Sequence, residues 1–366
     1  MQNKLQHDPD KNKVLLGLSG GVDSTTAAFL LQKQGYDVYG FYFDVTGCNQ
    51  DGQKEAQKVA DEVGIPLFIE DVSRRFQEIV VENFCSEYLA GRTPNPCIIC
   101  NPAVKFHYLL AKANEIGAKY IATGHYAQVV CDAEREKYYV KQGANQKKDQ
   151  SYMLCRLGQD VLSRLLLPLG SYSDKEEVRS LARSQSLSNA EKKDSQEICF
   201  IPDDDYAAFL ENLGCSSSPG DFVDGSGKVL GRHKGITHYT IGQRKGLGIA
   251  LGKPAFVTKI DVEKNQVVLG ENEELFSTRV RSVQNVFAVG ADPRRHCYDE
   301  FDGLQVEAKV RYSAKPSPAV LHILDEDVIE TEFEEPQRAA TPGQSVVWYV
   351  DGRVIGGGYI EKQPCL

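Results

Sequence analysis

Gly17-Leu18-Ser19-Gly20-Gly21-Val22-Asp23-Ser24 decides how this 366-residue chain is read. The octet follows Val14-Leu15-Leu16, a short apolar run suited to a buried parallel strand. It precedes Thr25-Thr26-Ala27-Ala28-Phe29-Leu30-Leu31-Gln32, which reads as a helix ending near Gly35. A strand, a glycine-rich turn and a helix N-terminus together make an anion site. Gly20 and Gly21 allow a tight turn that brings backbone N–H groups close to a phosphate. The helix dipole adds about half a positive charge there. Ser19 and Ser24 add hydroxyl donors, and Asp23 can either cap the helix or hold a magnesium ion. The loop lacks the Gly-Lys-Ser/Thr ending of a Walker loop, so it does not imply simple γ-phosphate transfer.

The surrounding pattern supports the same reading. Up to about residue 200, strand candidates at 14–18, 37–43, 67–71 and 120–123 alternate with helix candidates at 24–34, 53–63, 75–90, 106–116 and 175–185. That order predicts an α/β domain built on an open, mostly parallel, Rossmann-like sheet. Ligands in such sheets bind at the carboxyl ends of strands, where Ser19, Phe43 and Gly124 all fall. From about 205 to 270 the chain turns Gly- and Ser-rich, with one short helix at 206–213. From about 276 it is strand-like, with candidates at 282–289, 304–310, 319–323, 344–350 and 353–359 and a hairpin turn at Asp351-Gly352. The expected organisation is a catalytic α/β domain over 1–204, a small adaptor over 205–275 and a C-terminal β-barrel over 276–366.

Hydrophobic residues make up 41% and charged residues 25%, ordinary for a globular protein, and no apolar run is long enough for a membrane span. The N-terminus is polar and lacks a signal-peptide core, so the expected location is the cytoplasm. There the ten cysteines read as thiols, ligands or redox groups rather than as a disulfide framework. The net charge of −9 disfavours a nucleic-acid partner, but residues 228–259 carry seven Lys or Arg and no acid. Local field decides binding, so that stretch can hold a phosphate backbone, or it is a solvated loop. Seven of the eleven positions in 325–335 are acidic.

Two cysteine neighbourhoods stand out. In Gly91-Arg92-Thr93-Pro94-Asn95-Pro96-Cys97-Ile98-Ile99-Cys100-Asn101, two prolines stiffen the approach to a Cys-x-x-Cys pair just ahead of a helix. A thiol at a helix N-terminus is expected to have a lowered pKa. The second neighbourhood is Asp194-Ser195-Gln196-Glu197-Ile198-Cys199-Phe200-Ile201. Spacing alone leaves zinc, redox, cluster and purely structural roles open, although no second Cys-x-x-Cys completes a zinc site. Cys85, Cys131, Cys155 and Cys297 read as small hydrophobes, Cys48 and Cys215 as loop residues, and Cys365 as part of the tail.

The 17–24 octet resembles the pyrophosphate loop of the ATP pyrophosphatases, which split ATP between the α and β phosphates and adenylate an acceptor. Further motifs are 91–101, Ala122-Thr123-Gly124-His125-Tyr126, Lys148-Asp149-Gln150-Ser151-Tyr152, 195–201, 239–248, Arg311-Tyr312 and Thr341-Pro342-Gly343-Gln344. In this order they resemble the tRNA-specific 2-thiouridine synthases (2-thiouridylases, MnmA/TrmU type) over nearly the whole chain. The resemblance implies a sulfurtransferase that converts the wobble uridine of tRNA to 2-thiouridine using ATP and Mg²⁺. It assigns ATP to Gly17, Leu18, Ser19, Gly20, Gly21, Val22, Asp23, Ser24, Phe43 and Gly124. It makes Cys100 the nucleophile and Cys199 the persulfide carrier, with a transient Cys100–Cys199 disulfide. It assigns tRNA contact to Asn95, Pro96, Cys97, His125, Lys148, Asp149, Gln150, Arg311, Tyr312 and Gln344. It also implies a sulfur-donor protein or another sulfide source.

Many members of that family carry Asp where this chain has Cys97. Three cysteines, Cys97, Cys100 and Cys199, are therefore expected to converge, and a [4Fe–4S] cluster held by them is an alternative route for sulfide. Readings of another class are a small-molecule ligase with the same loop, or a non-catalytic RNA-binding module.

Overall fold

A computed structural model describes residues 12–185, 187–190, 198–201, 205–249, 251–289, 299–325 and 327–362. The first sheet contains β1 (Lys13–Gly17), β2 (Asp37–Asp44), β3 (Leu67–Asp71), β4 (Tyr120–Ala122) and β7 (Leu165–Leu166), all parallel, in the order β3-β2-β1-β4-β7. Both faces of β1 are covered, which is why Val14, Leu15 and Leu16 form an unbroken apolar run. Leu15 packs with Phe106 and Leu109 on one side. Val14 and Leu16 pack on the other with Ala27, Leu31 and Val178, from helices Val22–Lys33 and Lys175–Ser184. The chain runs from β1 to β2 in one direction and returns to place β4 on the opposite flank. The crevice at the ends of β1 and β4 is therefore a topological switch point.

The helix predicted at 106–116 is part of a longer helical run. Pro96–Cys100 is α-helical, Asn101–Lys105 is a π turn, and Phe106–Glu115 is α-helical again. Pro102 has no N–H to donate, and the wider π turn accommodates it. The Cys-x-x-Cys pair thus lies inside a short helix and not in a loop ahead of one.

A second sheet, order β10-β11-β8-β9, contains β8 (Gly220–Val223), β9 (Val229–His233), β10 (Phe256–Asp261) and β11 (Gln266–Gly270) around Phe222, Val257, Val267 and Leu269. The C-terminal strands are β12 (Phe276–Phe287), β13 (Gln305–Lys309), β14 (Ser317–Asp325), β15 (Val328–Arg338), β16 (Ser345–Val350) and β17 (Arg353–Ile360). They run in the order β12-β15-β14-β13-β16-β17, and β12 also pairs with β17, closing a six-stranded barrel. Trp348 is fully buried in it and donates its indole N–H to Thr331 Oγ1 at 2.9 Å. Asp351 (φ 51°) and Gly352 (φ 72°) make the expected tight turn between β16 and β17.

Besides the two-residue β7, two strand regions escaped the sequence reading. The acidic run is mostly β15, whose Ile329, Thr331 and Phe333 face the barrel core while Glu330 and Glu332 pair with Arg281 and Arg279 of β12. The hairpin β5 (Ala127–Asp132) and β6 (Lys137–Gln142) leaves the first domain and extends the barrel sheet through Arg353↔Lys141. Among the described residues no helix is long and apolar enough to cross a membrane.

Candidate active site

The 17–24 loop sits at the switch point. Gly20 has φ +75°, in the left-handed region. Gly21 is extended and is the N-cap of the Val22–Lys33 helix, with no side chain capping it. Asp23 therefore does not cap the helix, because its carboxylate is held elsewhere. Tyr126 Oη donates to Asp23 Oδ1 at 2.8 Å, and Lys175 Nζ to Oδ2 at 3.0 Å. Ser19 N–H donates to Ser24 Oγ at 3.2 Å, and the buried Ser24 hydroxyl donates to Gly21 O at 3.1 Å, closing the loop on itself. Asn189 anchors the turn from behind, donating to Gly20 O at 3.0 Å and to Thr25 Oγ1 at 2.7 Å.

Gly124 closes the crevice from the β4 side. A Cβ there would lie 2.9 Å from the backbone of Asp23 and Ser24. Phe43 ends β2 beside the loop, edge-on to Phe41 at 4.7 Å, and a Cβ on Gly17 would lie 3.3 Å from its ring. Loop, Phe43 and Gly124 are thus brought together as expected. The Ser19 and Gly21 N–H groups and the Ser24 hydroxyl are engaged within the loop, at the N-terminus of the Val22–Lys33 helix, a position whose dipole suits an anionic triphosphate.

One residue beyond Gly124, His125 leads toward the thiols. Its Nδ1 lies 2.8 Å from Thr123 Oγ1, and its ring stacks on Phe106 at 6.3 Å. Burial, with Lys105 nearby, pushes its pKa down to about 3, so the imidazole is neutral at physiological pH. Asn95 caps the Pro96–Cys100 helix by accepting from the Cys97 N–H at 3.2 Å. Cys100 is buried, Cys97 is half-buried and Cys199 is exposed. The three thiols and Lys105 lie close enough to act on one another's charge.

The lowered thiol pKa expected from the helix position is not found. Burial pushes Cys100 up to about 12 and Cys97 up as well, with Lys105 pulling both back in part. Cys100 is the last residue of a five-residue helix, so no N-terminal dipole favours its thiolate. Burial pushes the Lys105 ammonium down, but Cys100, Cys199 and Cys97 together lift it above the ordinary lysine value. Among the described residues no three Cys, His, Asp or Glu side chains stand at metal-ligand spacing. Elsewhere Cys85 and Cys155 are buried, while Cys131 is exposed on β5, against the expectation that it packs in the core. Cys297 and Cys365 lie outside the described residues.

Several of the remaining predicted positions hold loops and domain contacts in place. Asp149 is buried, and its carboxylate accepts from Gly143 N, Ser151 N and Ser151 Oγ at 3.0, 3.1 and 2.8 Å, holding its own loop. Gln150 Oε1 accepts from Tyr126 N at 2.9 Å, and the half-buried Lys148 joins the same turn through its N–H to Asn145 Oδ1 at 3.2 Å. Gln344 Nε2 donates to Thr93 O at 2.8 Å, tying the barrel to the segment that leads into Asn95 and Pro96. Burial, then Asp149 and Cys97, raise the Tyr312 hydroxyl pKa, so Tyr312 lies within range of the Cys97 charge. Arg311 Nε is buried without a hydrogen-bond partner. The 228–259 basic stretch is partly neutralised from neighbouring strands, by Arg232–Asp221 at 2.9 Å and Lys253–Glu271 at 2.7 Å.

Sequence reasoning missed Lys105, Lys175 and Asn189, and it gave Tyr126 no role. Tyr126 stood inside a quoted motif. The other three are single residues whose importance appears only once the chain is folded.

The chain matches three family descriptions in succession. These are a "tRNA methyl transferase HUP domain" over residues 12–203, a "tRNA methyl transferase PRC-barrel domain" over 207–271 and an "Aminomethyltransferase beta-barrel domain" over 290–360. It is 47% identical to the tRNA-specific 2-thiouridylase MnmA of Carboxydothermus hydrogenoformans, over 96% of this chain and 98% of that protein. It is 48% identical to the Syntrophomonas wolfei protein of that name (95% and 99% covered) and 46% identical to the one from Clostridium acetobutylicum (95% and 99%). The match over residues 12–203 and this near full-length likeness make the chain a member of the tRNA-specific 2-thiouridylase family.

Proposed function

We propose that this protein is a tRNA-uridine 2-sulfurtransferase that adenylates the C2 carbonyl oxygen of a wobble uridine and replaces it with sulfur. The observation that carries the reading is the approach of Cys199 to Cys97 and Cys100, about a hundred residues away in sequence. Lys105, whose charge acts on those thiols, also acts on His125, whose neighbour Gly124 abuts the 17–24 loop.

ATP would lie on Gly17, Leu18, Ser19, Gly20, Gly21, Val22, Asp23 and Ser24, with Phe43 and Gly124 beside the nucleotide. Asp23 is the loop residue that would hold Mg²⁺, and the ion would supply charge neutralisation that favours departure of pyrophosphate. The uracil O2 attacks the α-phosphorus, and pyrophosphate leaves. The uracil C2 then carries AMP, a good leaving group in place of a poor one. The terminal sulfur of a Cys199 persulfide attacks C2 and AMP departs, leaving C2 joined to Cys199 through a disulfide. Cys100, as thiolate, attacks Cys199 Sγ. The product leaves as 2-thiouridine, with a Cys100–Cys199 disulfide behind it.

The positions of the thiols support this division of roles. Cys199 is exposed, as a group loaded by a sulfur-donor protein must be. Cys100 is buried and needs Lys105 to ionise, as suits a group that acts last and away from water. To reach it the base must leave the anticodon stack. Asn95, Pro96, Cys97, His125, Lys148, Gln150, Arg311, Tyr312 and Gln344 would line or support that path, with Asp149 beneath them. Residues 1–204 would adenylate, 205–275 would link, and 276–366 would grip tRNA in the cytoplasm.

The test is mass analysis of tRNA nucleosides after incubation with ATP, Mg²⁺ and a persulfide donor. Appearance of 2-thiouridine supports the reading. ATP turnover without it would favour a small-molecule ligase, and tRNA binding without pyrophosphate release would favour a binding module.

A further inference from the structure

We propose that Lys175 is the cation that receives the β- and γ-phosphates of ATP at the 17–24 loop, an inference that rests on reading this loop as the ATP site. The loop contains no Lys or Arg, and its one ionisable side chain is the acid Asp23. ATP brings about four negative charges, against which the helix N-terminus sets about half a positive charge. Even with about two of those charges offset by Mg²⁺, the triphosphate approaches the Asp23 carboxylate, so a further cation is needed there.

Lys175 supplies that cation from another part of the chain. Its Nζ lies 3.0 Å from Asp23 Oδ2, and its side chain is only 12% exposed. It also lies 5.7 Å from the centre of the Tyr126 ring, whose hydroxyl holds the other Asp23 oxygen. The position is built into the fold. Asp174 caps the Lys175–Ser184 helix by accepting from Glu176 N at 2.9 Å. Val178 of that helix packs in the same core as Ala27, Ala28 and Leu31 of the helix that follows the loop. An ammonium is a compact charge with three N–H donors on a flexible stem, so it can hold Asp23 and a phosphate oxygen together. In a Walker loop the lysine lies within the loop itself. Here it arrives 152 residues later, on a docked helix.

The test is equilibrium binding of ATP and of AMP, each with Mg²⁺, to the full chain and to Lys175→Met, Lys175→Gln and Lys175→Arg variants with wild-type circular dichroism. Met and Gln should each weaken ATP binding tenfold or more and leave AMP binding within twofold, while Arg should retain most of the ATP affinity. Unchanged ATP binding would overturn the proposal. So would an equal loss for ATP and AMP, which would mean that Lys175 only holds the loop through Asp23. Wild-type protein that binds neither nucleotide would overturn the ATP reading itself.

Discussion

Asn189 Nδ2 donates to the carbonyl oxygen of Gly20 at 3.0 Å across 169 residues of sequence. Its second donor contact, to Thr25 Oγ1, pins the first turn of the following helix. The segment that leads toward Cys199 therefore also braces the phosphate loop. Asn189→Ala strips a buried carbonyl of its partner and should cost about 1–3 kcal/mol of stability. Denaturant unfolding measures that loss. Pyrophosphate release should fall as well, because Gly20 loses the contact that holds its turn.

Gly124 offers a sharper test of the crevice. An alanine Cβ would meet the Asp23 and Ser24 backbone at 2.9 Å, and neither can yield without moving the loop. Gly124→Ala should reduce ATP-dependent pyrophosphate release at least tenfold while tRNA binding stays near wild type. Full activity would show that the loop and β4 need not touch.

The thiols should separate by pH. Cys199 is exposed, whereas burial holds Cys100 up to about 12. Iodoacetamide should label the exposed Cys199 well before the buried Cys100, whose labelling should still be rising above pH 9, as peptide mass analysis would show. Cys199→Ser should abolish 2-thiouridine formation and leave pyrophosphate release intact. The raised thiols also shape stability. Cys100 and Cys155 keep their protons to about 12 when folded, against 9.0 for an ordinary thiol. The unfolded chain then sheds protons first, so folding stability is lost as pH rises through 9 toward 12.

His125 acts at the acid end. Burial holds its pKa at about 3 in the folded state, against 6.5 for an ordinary histidine. Its contribution is complete above pH 6.5 and is lost as pH falls toward 3, because the unfolded chain takes up the proton first. Thermal melts from pH 7 to pH 4 should show less acid destabilisation in His125→Gln than in wild type.

Arg311 has a buried, unpartnered Nε and stands next to Tyr312, which lies within range of the Cys97 charge. Arg311→Ala should weaken tRNA binding and reduce the salt dependence of log Kd by about one charge. An unchanged slope would make Arg311 a structural group.

Much of the α/β domain was legible because its signals are local. Val14-Leu15-Leu16 is apolar throughout because both faces of β1 are covered, and the glycines mark the turn that follows. β15 was hidden because its outward acids, Glu330 and Glu332, outnumber the cues of its buried Ile329 and Phe333, and their partners Arg281 and Arg279 are about fifty residues away. The hairpin 127–142 pairs with itself, but its place at the edge of the barrel sheet was hidden because the joining pair, Lys141 with Arg353, spans most of the chain. The helix around Cys97 and Cys100 was misjudged because Pro102 looks like a break unless a π turn absorbs it.

The order of residues alone determined the phosphate loop, the parallel sheet beneath it and the identity of the cysteines, since each depends on neighbours within a turn or a strand. Tertiary structure alone decided what those groups experience. It buries Cys100 against Lys105, turns Asp23 away from its helix toward Tyr126 and Lys175, and hooks the barrel's Gln344 onto Thr93. Charge, burial and hydrogen bonding act through space, and these partners lie too far apart in sequence for any local pattern to register them.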